Sequence, residues 1–98
     1  MFAVIFKAKV KVLDAQYADA AKRMRDLALG EYNCKAFICP TTGDTEIAIS
    51  YWQCEEDILA RRNDAEHLAT QKLGQEKWYE SYTVEVVEVL RSYGSSTQ

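Results

Sequence analysis

Apolar residues alternate from the first positions of the chain. Phe2, Val4, Phe6, Ala8, Val10 and Val12 fall on one side of an extended run, with Ala3, Ile5, Lys7, Lys9 and Lys11 on the other. A period of two over this length predicts a strand. The period then changes. Tyr17, Ala20, Ala21, Met24, Leu27 and Ala28 recur at helical spacing, opposite Asp19, Lys22, Arg23 and Asp26. That is the single apolar stripe of a half-buried helix. Asp14 is placed to cap its start and Gly30 to end it.

Cys34 to Cys39 is a short apolar run, and Thr45 to Trp52 a longer one with Ile47, Ile49 and Tyr51 on one side. Pro40 to Asp44 lies between them, with Gly43-Asp44 as the tip of a turn. The two runs predict an antiparallel hairpin. Glu55 to Arg62 predicts a short helix whose acidic start, Glu55, Glu56 and Asp57, complements the helix dipole. Asn63-Asp64 breaks the pattern and can cap a second helix, expected to run to about Ser81. Thr83 to Arg91 predicts the last strand. Its alternation slips at Val86-Val87, where a bulge is expected. One domain is expected over residues 1–91, with a polar, flexible C-terminal tail at 92–98.

The order β-α-β-β-α-β is that of an α+β, ferredoxin-like unit with a four-stranded antiparallel sheet. Right-handed crossovers put both helices on one face of the sheet. The strands are nonetheless apolar on both sides: Ala3 and Ile5 oppose Val4 and Phe6, and Val87 and Val89 oppose Val84 and Val86. A face left in water would read as polar, and an apolar patch of sheet size marks a contact surface. A homodimer through this open face is the simplest cover, since closed two-fold pairs are the commonest assembly.

Composition narrows the partners. The chain has 98 residues, 48% of them hydrophobic and 28% charged, with a net charge of -3. That fits one globular domain. It offers no basic footprint for nucleic acid and nothing to attract an anionic membrane. No apolar run reaches the roughly 20 residues that span a bilayer. The N-terminal residues carry no leader pattern. The three cysteines, Cys34, Cys39 and Cys54, are an odd set that suits reduced thiols. A cytoplasmic protein is expected.

The second long helix carries the candidate chemistry. At 3.6 residues per turn, His67, Gln71, Gly74, Trp78 and Tyr82 share one stripe facing the sheet. Gly74 costs about 1 kcal/mol in a helix relative to alanine, which fits a close approach by a strand or a ligand. His67, the only histidine, is the candidate catalytic residue. Trp52, Gln71, Gly74, Trp78 and Tyr82 are the candidate substrate-binding residues. Trp78 and Tyr82 also read as ordinary core with their polar atoms satisfied. No metal is expected: Cys34 and Cys39, five apart on a strand, point to opposite faces, and one histidine is too few for a standard zinc site.

Glu46-Ile47-Ala48-Ile49-Ser50-Tyr51-Trp52, Ile58, Asp64-Ala65-Glu66-His67 and the run from Gln71 to Tyr79 together resemble the antibiotic biosynthesis monooxygenase family. The similarity spans Phe2 to about Arg91. It implies a dimeric α+β barrel built from two ferredoxin-like subunits, with a pocket between helices and sheet. Some relatives oxidise polyketide-type aromatic substrates with O₂ and no metal or flavin, so no cofactor is expected; others degrade haem. This chain departs from both groups. Arg61 stands where the catalytic relatives carry a tryptophan, and the first strand has Lys7 and Lys9 without the asparagine of the haem degraders. The function expected is that of a cofactor-independent monooxygenase-like protein acting on a small aromatic or quinol-type molecule. His67 would deprotonate or orient the substrate, Trp78 and Tyr82 would shape the pocket, and Tyr82 or Gln71 would donate a hydrogen bond. The alternative is a non-catalytic homodimer that binds a small ligand or another protein.

Overall fold

The computed structural model describes residues 1–12 and 14–95. Strand β1 (Phe2–Val10) leads into helix α1 (Ala15–Glu31), then β2 (Ala36–Ile38), β3 (Thr41–Thr42) and β4 (Thr45–Trp52). Helices α2 (Glu55–Arg62) and α3 (Ala65–Leu73) follow, then a π-helical turn (Gly74–Trp78) and β5 (Tyr79–Glu88). The sheet is antiparallel in the order β2-β4-β1-β5, and the two-residue β3 pairs beside β4. This is the α+β, ferredoxin-like order the sequence predicts, with β3 as a small addition. Among the described residues no helix is long and apolar enough to cross a membrane.

Register decides which side chains share a face. Phe6 stands opposite Ala48 and Val84, and Val4 opposite Ser50 and Val86. That side meets the helices: Val4 and Trp52 are buried with Ala28 of α1 and Ile58 of α2. Ile5 stands opposite Ile49 and Glu85, and Ala3 opposite Tyr51 and Val87. With Ala36 and Ile38 of β2 these form the other face, which no helix covers among the described residues. Val86 and Val87 keep regular pairing, so the expected bulge is not there. The register shifts instead between Lys9 and Val10. Two consecutive valines are no slip when both faces of a sheet are apolar.

The helix starts follow the sequence closely. Asp14 Oδ1 accepts from Tyr17 N at 2.8 Å. Asp64 Oδ1 accepts from the N–H groups of Glu66 at 2.8 Å and His67 at 3.0 Å. Each carboxylate satisfies donors that have no partner inside the helix. The ends differ. Gly30 does not stop α1, which continues to Glu31; the positive φ of 62° falls at Asn33. Asparagine tolerates that conformation better than most residues with a Cβ. The second long helix does not reach Ser81. Its α-helical part ends at Leu73, the π turn closes at Trp78, and β5 begins at Tyr79 rather than Thr83. Tyr82 therefore sits on a strand. Residues 91–95 carry no regular structure, and positions 96–98 of the expected tail lie outside the described residues.

Helices α1 and α3 are tied along their length. Tyr32 Oη donates to Asp64 Oδ2 at 2.5 Å. Arg23 grips Glu66 with two hydrogen bonds of 2.5 and 3.1 Å. Lys77 reaches Asp14 at 3.1 Å. These bonds fix the two helices as one layer over the sheet.

Candidate functional site

Helix and sheet layers do not close on each other. Between them lies a cavity of about 670 Å³, within the range of small-molecule sites. Its shape follows from side-chain size. Strand β4 offers it Ala48 and Ser50, and α1 offers Ala20 and Ala21, where larger side chains would fill the space as in an ordinary close-packed interior. Met24, Phe6 and Tyr17 supply apolar lining, α2 contributes Arg61 and Arg62, and α3 contributes His67, Thr70 and Gln71. Leu59, Val84 and Val86 also line it and stay half exposed, so the opening lies between α2 and β5.

Most of the residues singled out in the sequence meet here. His67, Trp52, Gln71, Trp78 and Tyr82 all line the cavity. Tyr82 reaches it from β5, beside Phe6 at a ring separation of 5.8 Å. Its Oη accepts from Gln75 Nε2 at 2.7 Å, so its own proton stays available to donate. Trp52 Nε1 donates to Ser50 Oγ at 2.8 Å, which occupies that serine. Trp78 stacks edge-on against Tyr17 at 5.3 Å. Gly74 does not line the cavity. A Cβ there would stand 2.5 Å from Tyr79 Cε2, so this glycine makes room for an aromatic ring rather than for a ligand. Cys34 and Cys39 do not point to opposite faces of a strand. Strand β2 begins only at Ala36, leaving Cys34 in the core beside Trp52, and Cys39 lines the cavity.

The electrostatics are uneven. Burial draws the His67 pKa down to about 4, helped by the charge of Arg61 and opposed by the Arg62 carbonyl and Asp64. The imidazole is therefore neutral at pH 7. Glu46, 5% exposed, accepts a hydrogen bond from Cys39 Sγ at 2.8 Å. Burial pushes both the carboxyl and the thiol toward their neutral forms. Tyr79 is shifted up as well, by burial first and then by Glu46 and Cys39. Among the described residues no group of His, Cys, Asp and Glu is arranged to hold a metal ion.

Five buried side-chain atoms have no hydrogen-bond partner among the described residues: Tyr17 Oη, Glu46 Oε2, Arg61 Nε, His67 Nδ1 and Trp78 Nε1. All five residues line the same cavity. Buried polar atoms are nearly always paired, so these five are free to bond water or a polar ligand in the cavity. Glu46, Arg61 and Tyr17 were not among the sequence candidates. The signal for Glu46 lay in the strand alternation, where Glu46, Ala48, Ser50 and Trp52 form the helix-facing row.

No protein-family model matches the sequence, and no curated protein matches it. Solved structures do. SnoaB, a cofactor-independent oxygenase from Streptomyces nogalater, superposes with a TM-score of 0.81 at 7% identity, covering 96% of this chain and 97% of that one. A protein described as an antibiotic biosynthesis monooxygenase superposes at a TM-score of 0.65 and 11% identity, covering 93% of this chain and 100% of the other. The chain has the fold of the antibiotic biosynthesis monooxygenases. A protein of unknown function from Nitrosomonas europaea gives 0.75 at 20% identity, covering 98% and 95%. At such identities the likeness to antibiotic biosynthesis monooxygenases is one of fold.

Proposed function

We propose that the chain is a cofactor-independent oxygenase acting on a small aromatic or quinol-type molecule held between helices and sheet. The observation that carries this reading is the cavity beside His67, apolar in its body and ringed by five unpaired polar atoms. In the reaction a phenol with a free C–H loses its O–H proton, and the resulting anion gives electrons to O₂. One oxygen atom ends as the new quinone carbonyl and the other leaves as water, so the substrate supplies all the reducing equivalents. His67 receives or orients the phenolic proton. Tyr82 donates a hydrogen bond to a substrate oxygen, and Trp52 and Trp78 shape the walls.

Oxygen uptake with a panel of dihydroxynaphthalenes tests this. Turnover is expected for the wild type, with His67→Ala slower by about 10²-fold or more. Equal rates for the two would remove His67 from the chemistry. The second reading is a ligand-binding protein without turnover. Arg61, standing where the catalytic relatives carry a tryptophan, favours it. Tight binding of the panel with no oxygen consumed by the wild type would establish that reading in place of the first.

The assembly belongs to the same proposal. The uncovered sheet face is apolar, with Ile38 52% and Val87 36% exposed, and a second copy of the chain would shield it.

A further inference from the structure

Arg61 brings to the cavity a positive charge that makes no ion pair among the described residues. It lies one helical turn beyond Ile58, and Ile58 is buried against Val4 and Trp52, so the same face of α2 delivers the guanidinium into the cavity wall. Its Nε is buried without a partner. Asp64 and the Cys34 thiol act on the guanidinium through space, but the nearby acids have their hydrogen bonds elsewhere. Asp64 accepts from Tyr32 and from the N–H groups of Glu66 and His67, and Glu66 is held by Arg23. Glu46, on the far reach of β4 from Trp52, is kept toward its neutral form by burial. Glu55 is exposed at the other end of α2, and Arg62 adds a second cation to the lining. A shielded charge with no counterion in contact is costly, and an anion placed beside it lowers that cost.

We propose that the cavity takes its ligand as an aromatic oxyanion held by Arg61, and that His67 gains one proton as the anion enters. This rests on the oxygenase reading and deepens it by naming the residue that holds the substrate's charge, in the same cavity. Phe6, Met24, Ala48 and Val84 suit the aromatic body. The charge of Arg61 disfavours a protonated imidazole, and an anion at that guanidinium reverses the effect. A phenol then passes its own proton to the buried Nδ1 of His67, while a carboxylate arriving ionised draws one from solvent.

The test uses 2-naphthoate and 2-naphthamide, which share a shape and differ in charge. Calorimetric titration of the full chain at pH 5.5, between the free and the ligand-bound pKa of His67 and with the carboxylate still ionised, in two buffers of different ionisation heat, reads affinity and proton uptake together. Naphthoate is expected to bind about tenfold tighter than naphthamide, with uptake of about one proton per site. Arg61→Gln should abolish the preference of naphthoate over naphthamide, and Arg61→Lys should retain part of it. Because the chain has one histidine, its imidazole resonance is unambiguous. It should titrate near 4 in the free protein and move toward about 6.5 with naphthoate bound. Equal affinity for the two probes, a preference that survives in Arg61→Gln, or binding without proton uptake would each overturn the proposal. Should Arg61→Gln fail to fold by circular dichroism, the wild-type preference, the proton uptake and the Lys variant still decide it. Arg61-dependent naphthoate binding with no oxygen uptake from any phenol keeps this inference and sinks the oxygenase reading. Oxygen uptake alongside equal binding of the two probes does the reverse.

Discussion

The imidazole of His67 meets burial first and the charge of Arg61 second, and together they draw its pKa to about 4, against about 6.5 in an unfolded chain. As pH falls, the unfolded state therefore binds this proton before the folded one does. The stability contributed by the neutral imidazole is complete above about pH 6.5 and drains away as pH drops to about 4. At about 1.4 kcal/mol per pH unit, the loss has an upper bound of about 3 kcal/mol. Urea unfolding at pH 7 and pH 4.5 should show a steeper loss for the wild type than for His67→Gln, and parallel losses would refute the shift. At this scale the sequence was partly legible. His67, Gln71 and Trp78 followed from helical spacing alone. Arg61 and Glu46 did not, because charged residues are read as solvent-facing by default. Their positions, one turn past Ile58 and on the inward row of β4, argue the opposite once the faces are assigned.

Among the elements, the π turn at Gly74–Trp78 is where sequence and structure part company. The stripe continued in helical period through Trp78, and it pointed to Tyr82 as one more turn. Yet Tyr79 and Tyr82 are aromatic residues that also suit a strand, and pairing with β1 claims them from Val10 onward. The wide turn lets the chain leave the helix abruptly, with Tyr79 folded back against Gly74. Gly74→Ala sets two effects against each other. Helix propensity favours alanine by about 1 kcal/mol. The added Cβ would meet the Tyr79 ring at 2.5 Å, and that ring is already packed by Phe6 at 5.3 Å and Tyr82 at 6.0 Å. Overpacking of this kind costs about 1–3 kcal/mol, so steric conflict wins. Chemical unfolding should show a net destabilisation, and a stabilised Gly74→Ala protein would contradict the close approach. The caps at Asp14 and Asp64 were readable because their chemistry is local. The true end of α1, at Asn33 rather than Gly30, was not, since two residues suited to the same turn lie three apart.

At the scale of the whole molecule, element order and strand periodicity were enough to give the ferredoxin-like architecture. They also distinguished the two faces of the sheet, although the aliphatic one faces away from the helices. Ile5, Ile47, Ile49 and Tyr51 look outward, while Ala48 and Ser50 look in. Sedimentation at micromolar concentration should find a dimer. Ile49→Lys, placed in the middle of that face, should give a monomer with unchanged circular dichroism, because a lysine there loses apolar contact and sets like charges near each other across a two-fold axis. A wild-type monomer would remove the homodimer from the proposal. The space between the layers was harder to foresee, because small side chains in two separate elements, α1 and β4, make it and no single stretch announces it. A ligand seated in that hollow would touch α1, α3 and the strands at once and would stitch them into one body, so heat resistance would become a gauge of occupancy.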